Sequence, residues 1–289
     1  MLKKIKKEEF ENNFLKSLLE IPDCPEELFY KGNLPLKENT KFITIVGSRR
    51  HSVYAKDALE KLISELAGYN IIIISGLALG VDSIAHSQAL KHHLKTITVP
   101  GSGLGDNVLY PRSNFNLSKQ ILDNGGLLLS EFEENFKATP WSFPKRNRIM
   151  AGISDLVLVV EAKEKSGTLI TARLALDYNK DLAVIPNSIF SEYSKGSNSL
   201  LKQGAHPIFS GEDILNLLGF DKQITKQEKL NLDDFSEIEQ KILNTLSEPK
   251  TKIEIQKELN IDITKLNTEI SILELKGIIK ESLGKFRKI

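Results

Sequence analysis

A chain of 289 residues is long enough for one large domain, or for a larger domain with a small companion. With 40% hydrophobic and 27% charged residues it can bury a sizeable core. Its apolar runs fall far short of the roughly 18 to 20 residues that span a bilayer, and a lone cysteine, Cys24, excludes an internal disulfide or a thiolate metal cluster.

The opening MLKKIKKEEF turns acidic and amphipathic instead of apolar, so it lacks the pattern of a secretory signal and the expected location is the cytoplasm. Residues 1–40 read as an N-terminal helical arm: Phe10, Phe14 and Leu18 share a helical face, followed by a connector with Pro22, Pro25 and Pro35. From 41 to 220, short β-branched runs alternate with helical periods. The strand-like runs are FITIV from Phe42, NIIIIS from Asn70, KTITVP from Lys95, GLLLSE from Gly126, DLVLVVEA from Asp155 and DLAVIP from Asp181. Between the first two, Ala58, Leu59, Leu62, Ile63 and Leu66 fall on one helical face. Six nearly all-apolar strands separated by helices predict a doubly wound, mostly parallel α/β sheet covered on both sides. Such sheets bind ligands at the carboxyl ends of their strands, so function is expected just after each run. Residues 221–234, polar and without glycine or aromatics, read as a linker. In 235–289, three helical periods and two short strands about Leu283 and Gly284 give a winged-helix-like outline.

The net charge of +1 conceals an uneven choice of cation, 32 Lys against seven Arg. Arginine is expected where lysine will not serve, as in forked binding of phosphate, and six of the seven lie between 41 and 220. The first strand runs into Gly47, Ser48, Arg49 and Arg50, a turn suited to an anion, with Ser52 placed to cap the next helix. The second leads to Gly76, Gly80, Asp82 and His86; Asp82 suits a helix N-terminus and the histidines form no ligand set. The third gives Pro100-Gly101-Ser102-Gly103-Leu104-Gly105, which departs from the dinucleotide fingerprint. The densest cluster follows the fourth strand: Trp141, Phe143, Lys145, Arg146, Asn147 and Arg148. Cations beside aromatics suit a groove that holds phosphates while bases stack, with Trp141 itself expected to tuck into the core. Arg146 reads as an exposed phosphate contact whose loss should barely change stability. After the fifth strand, Ser166, Gly167 and Thr168 open a helix able to receive an anion.

These motifs, in this order, resemble the DprA (also called Smf) DNA-processing proteins: IVGSRR, SGLALGVDSIAH, the PGSG and YP segment, LLSE, FPKRNRIMAGISD, VVEA with SGTLITARLA, and GSNSLLKQGAHPI. The resemblance covers about residues 40 to 215. It implies an extended Rossmann-like domain that binds and protects single-stranded DNA, helps load the RecA recombinase in DNA processing or natural transformation, and forms a homodimer. It places DNA contacts on Gly47, Ser48, Arg49, Arg50, Phe143, Lys145, Arg146, Asn147, Arg148, Ser166, Gly167 and Thr168. Many members carry an N-terminal sterile-alpha-motif-like domain, for which 40 residues are too few. No catalytic residue, cofactor or metal is expected. The alternative is a nucleotide-binding enzyme related to lysine-decarboxylase-like phosphoribohydrolases, whose PGGxGTxxE loop supplies a catalytic Glu; here Leu169, Ile170 and Thr171 follow Gly167-Thr168, and no acid stands there. A third reading, a winged-helix regulator of duplex DNA, rests on the basic tail alone.

Overall fold

A computed structural model describes residues 1–34, 39–220, 235–282 and 284–288; the expected linker at 221–234, Pro35 and Leu283 lie outside the described residues. The chain divides into two compact units, 1–221 and 222–289. In the first, a nine-stranded sheet runs in the order β1-β2-β6-β5-β4-β3-β7-β8-β9. The strands are β1 (Lys3–Lys6), β2 (Glu27–Gly32), β3 (Lys41–Val46), β4 (Ile71–Ser75), β5 (Lys95–Thr98), β6 (Leu127–Ser130), β7 (Leu156–Val159), β8 (Asp181–Val184) and β9 (His206–Pro207). From β6 to β9 every pairing is parallel, whereas β2 joins β6, and β1 joins β2, antiparallel. After β1 and β2 at one edge, the parallel part starts mid-sheet at β3, winds outward through β4, β5 and β6, then returns to the other side of β3 with β7. The direction of winding therefore reverses between β3 and β7, where a doubly wound sheet opens its crevice.

Side-chain alternation along β3 explains the two layers. Phe42 and Val46 face one side, with α4 (Ser142–Ile153), α5 (Thr168–Asp177) and α6 (Lys195–Lys202). Ile43 and Ile45 face the other, with α1 (Val53–Glu65), α2 (Val81–Lys91) and α7 (Gly211–Leu217). A smaller cluster around Leu77, Leu109 and Ile121 seats α3 (Phe115–Asp123) beside α2. Strands buried on both faces are apolar throughout, which is why these runs stand out in the sequence. Ser52 caps α1 as expected, accepting from the Ala55 amide at 3.0 Å.

The first 40 residues differ from the expected helical arm. They contribute β1 and β2 to the sheet and two short 3₁₀ segments, Lys7–Asn12 and Lys16–Glu20. Phe10, Phe14 and Leu18 are indeed buried together, Phe14 stacking on Phe42 at 5.5 Å. They cover the sheet and α4, so the segment is part of the first unit's core and not an appendage. Tertiary burial here overrides a helical spacing too short to stand alone.

In the second unit α8 (Glu237–Thr245), α9 (Lys252–Leu259) and α10 (Ile263–Leu275) precede a hairpin of β10 (Ile279–Ser282) and β11 (Lys285–Lys288). Ser236, Thr251 and Asp262 cap the three helices, the first two through reciprocal boxes with Glu239 and Glu254. Ile242, Leu243, Ile255, Leu266, Ile270, Leu273 and Phe286 form its core. Among the described residues no helix is long and apolar enough to cross a membrane.

Candidate nucleic-acid interface

The loops after β3, β4 and β7 meet the N-terminal half of α4 at the reversal point. After β3, Ser48 Oγ both donates to the Arg50 carbonyl at 2.7 Å and accepts from the Arg50 amide at 3.1 Å, a local turn that leaves the Arg49 and Arg50 side chains exposed. Glu161, fully buried just beyond β7, ties this loop to its neighbours. It accepts from the Ser52 amide at 3.0 Å, from the Ser52 hydroxyl, and from Asn187 Nδ2 at 3.1 Å. After β4, Asp82 Oδ2 accepts from the amides of Gly76 at 3.0 Å and Ala78 at 3.3 Å. Burial raises the Asp82 pKa above the usual carboxylate value, against the opposing pull of Arg146 and these amides.

The cluster on α4 splits by direction. Phe143 lies against the Gly101 backbone and carries the Arg49 guanidinium 5.1 Å from its ring centroid, with Tyr110 tilted beside it at 5.8 Å. Arg146 is 5% exposed; its Nη1 donates to the Val99 carbonyl at 2.6 Å and its Nε is buried without an acceptor. Burial pushes its pKa down to about 10, with nearby Asp82 opposing the shift, so the guanidinium is charged at neutral pH. It is therefore a buried group, not the exposed phosphate contact expected. Arg148, 4% exposed, turns the other way, donating to Glu131 Oε1 at 2.6 Å and pairing through Nε with Asp23 at 2.9 Å. Lys145 also faces Glu131, at 3.4 Å. Trp141, expected in the core, is 55% exposed and rests edge-on against Phe132 and Phe136.

The result is a cavity of about 320 Å³ at the carboxyl ends of β3, β4 and β7. Of the residues singled out in the sequence, it gathers Gly47, Ser48, Arg49, Phe143, Arg146, Asn147, Ser166, Gly167 and Thr168. Arg50, Lys145 and Arg148 are not on its wall. Lys163 and Lys165 are, and neither was singled out in the sequence. Their position just before the α5 N-terminus was the available signal. A Cβ on Gly167 would meet nothing within 4 Å, and its φ of −58° suits any residue. Packing and conformation thus leave this glycine without a structural account. The PGSG segment has a structural account instead: Gly103 and Gly105 let the 133–136 backbone approach, donating to the Phe136 and Glu134 carbonyls at 2.9 and 2.8 Å. Among the described residues no group of His, Cys, Asp and Glu side chains forms a metal site.

Fold and cavity together define a doubly wound α/β protein with a cationic cleft at its switch point. Residues 6–219 match the family described as DNA recombination-mediator protein A. The DNA processing protein DprA of Streptococcus pneumoniae is 43% identical over 198 residues, 68% of each chain. That of Bacillus subtilis is 39% identical over 201 residues, 70% of this chain and 67% of the relative. The X-ray structure of the S. pneumoniae protein superposes with a TM-score of 0.68 at 39% identity, covering 74% of both chains. A structure of DNA processing protein A from Helicobacter pylori, described for its single-stranded DNA binding mode, gives 0.65 at 34% identity, covering 75% of this chain and 95% of that one. The chain belongs to the DNA recombination-mediator protein A family.

Proposed function

We propose that the cavity holds the backbone of single-stranded DNA, and that the chain protects such strands and helps to load a RecA-type recombinase onto them, acting as a homodimer. The observation that carries the binding step is convergence. Arg49, Lys163 and Lys165 surround the open start of α5, while Phe143 with its overlying Arg49 offers a flat wall for a base. Family membership supports the wider role. Binding without catalysis is favoured because Asp82 is the one carboxylate on the wall among the described residues, and its Oδ2 is occupied by the Gly76 and Ala78 amides.

Titrating the protein with a single-stranded oligonucleotide and with the same sequence as duplex, followed by sedimentation of the mixture, tests this reading. The single strand should bind at least tenfold tighter, and Arg49→Ala should lose most of that advantage. Equal affinity for duplex would remove the single-strand assignment, and a monomeric complex would remove the dimer.

A further inference from the structure

We infer that the cavity is an end-binding site, made for the terminal nucleotide of a single strand carrying a phosphomonoester, and not only for internal backbone. The inference rests on the single-strand reading above and adds to it the part of the strand that is recognised.

Three observations lead there. The first is charge. Arg49, Arg146, Lys163 and Lys165 contribute four cations against Asp82, a surplus of three around one cavity. An internal phosphodiester carries a single negative charge, whereas a phosphomonoester carries about −1.5 to −2 at neutral pH. Lys163 is shared with Glu192 at 3.6 Å, but that partner is 76% exposed and the pair is a weak surface contact. The second is the unfinished coordination of Arg146. A guanidinium 5% exposed, with Nε lacking an acceptor and one oxygen acceptor at Val99, places under the cavity a charge that the protein itself does not neutralise by contact. It stands at the same cavity as the α5 N-terminus, with Ser166 and Thr168 hydroxyls beside it. The third is shape. About 320 Å³ lies at the small end of pockets for single small molecules, room for one nucleotide and not for a run of them. Val46, Met150 and Thr171 also line it.

The test uses the full chain and three labelled 12-mers of thymidine: 5′-phosphorylated, 3′-phosphorylated, and hydroxyl at both ends. One phosphorylated oligonucleotide should bind at least tenfold tighter than the hydroxyl form, and which one does so fixes the strand polarity. The preference should shrink below about pH 6, where the monoester dianion takes up one proton and becomes singly charged while a diester does not change. Lys165→Ala, at an exposed position, should reduce the preference more than it reduces binding of the hydroxyl oligonucleotide. Equal affinity for all three oligonucleotides overturns the end-binding inference and leaves the single-strand reading intact. Failure of all three to bind overturns both.

Discussion

Gly76 and Arg146 occupy each other's space: a methyl group on Gly76 would overlap the Arg146 guanidinium. The missing side chain at the end of β4 is what allows a cation from α4 to reach across to Val99 and lie beneath the cavity. Gly76→Ala should therefore expel Arg146 and cost about 1 to 3 kcal/mol of stability, as overpacking does in a tight core. Arg146→Ala should also destabilise, by about 2 kcal/mol or more, through a lost hydrogen bond and an emptied buried site. Urea unfolding of the two variants checks this; an Arg146→Ala protein as stable as the parent would contradict the buried placement.

His86 gives the stability a pH dependence. It is fully buried on α2, with Nδ1 2.7 Å from the Thr96 hydroxyl, which itself donates to the Ile73 carbonyl. That arrangement assigns the ring proton to Nδ1 and leaves Nε2 bare. Burial pushes its pKa from 6.5 down to about 3. The folded protein then binds fewer protons at this site than the unfolded chain between those values, so the contribution is complete above about pH 6.5 and is lost as pH falls toward 3. Asp82, whose pKa is raised, acts in the opposite sense above its ordinary value and blunts the effect. Unfolding midpoints at pH 7.5 and 5 should fall for the parent, and fall less for His86→Leu.

The parallel strands were legible because burial on both faces forces apolar runs, as in Ile71–Ser75. The antiparallel extension was not. β1 reads KKIK and buries Ile5 alone, so its residues carry no strand signal apart from their pairing with β2. At the site, residue type located the α4 cluster, yet type cannot give direction. Arg148 and Arg146 are two positions apart on one helix and point to different partners, one of them Glu131, 17 residues away in sequence. The role of Lys163 and Lys165 depends on where β7 ends relative to β3, which is a property of strand order and not of local composition.

A chain ending at Phe220 should fold and keep single-strand affinity within about threefold of the parent. The nine-stranded sheet, its flanking helices and the whole cavity wall precede that residue. Circular dichroism and the same oligonucleotide titration check it. A tenfold loss in a folded protein would give residues beyond 220 a part in binding.

Salt separates the cations that face the cavity from those that do not. Arg49, Lys163 and Lys165 are exposed on its wall, so neutralising about three phosphate charges predicts a slope of log affinity against log salt near −2, from −0.7 per contact. Lys165→Ala should reduce the slope by about 0.7 and weaken oligo-dT and mixed sequence alike, because a phosphate contact reads no base. Arg148→Ala should do the reverse. Its removal leaves Glu131, whose side chain is 14% exposed, with Lys145 at 3.4 Å as its one ion-pair partner among the described residues, and should cost about 3 kcal/mol of stability while leaving the slope unchanged. If Arg148→Ala flattened the slope and Lys165→Ala did not, the strand would have to run along the Glu131 side of α4, and the cavity would lose its claim to the phosphates.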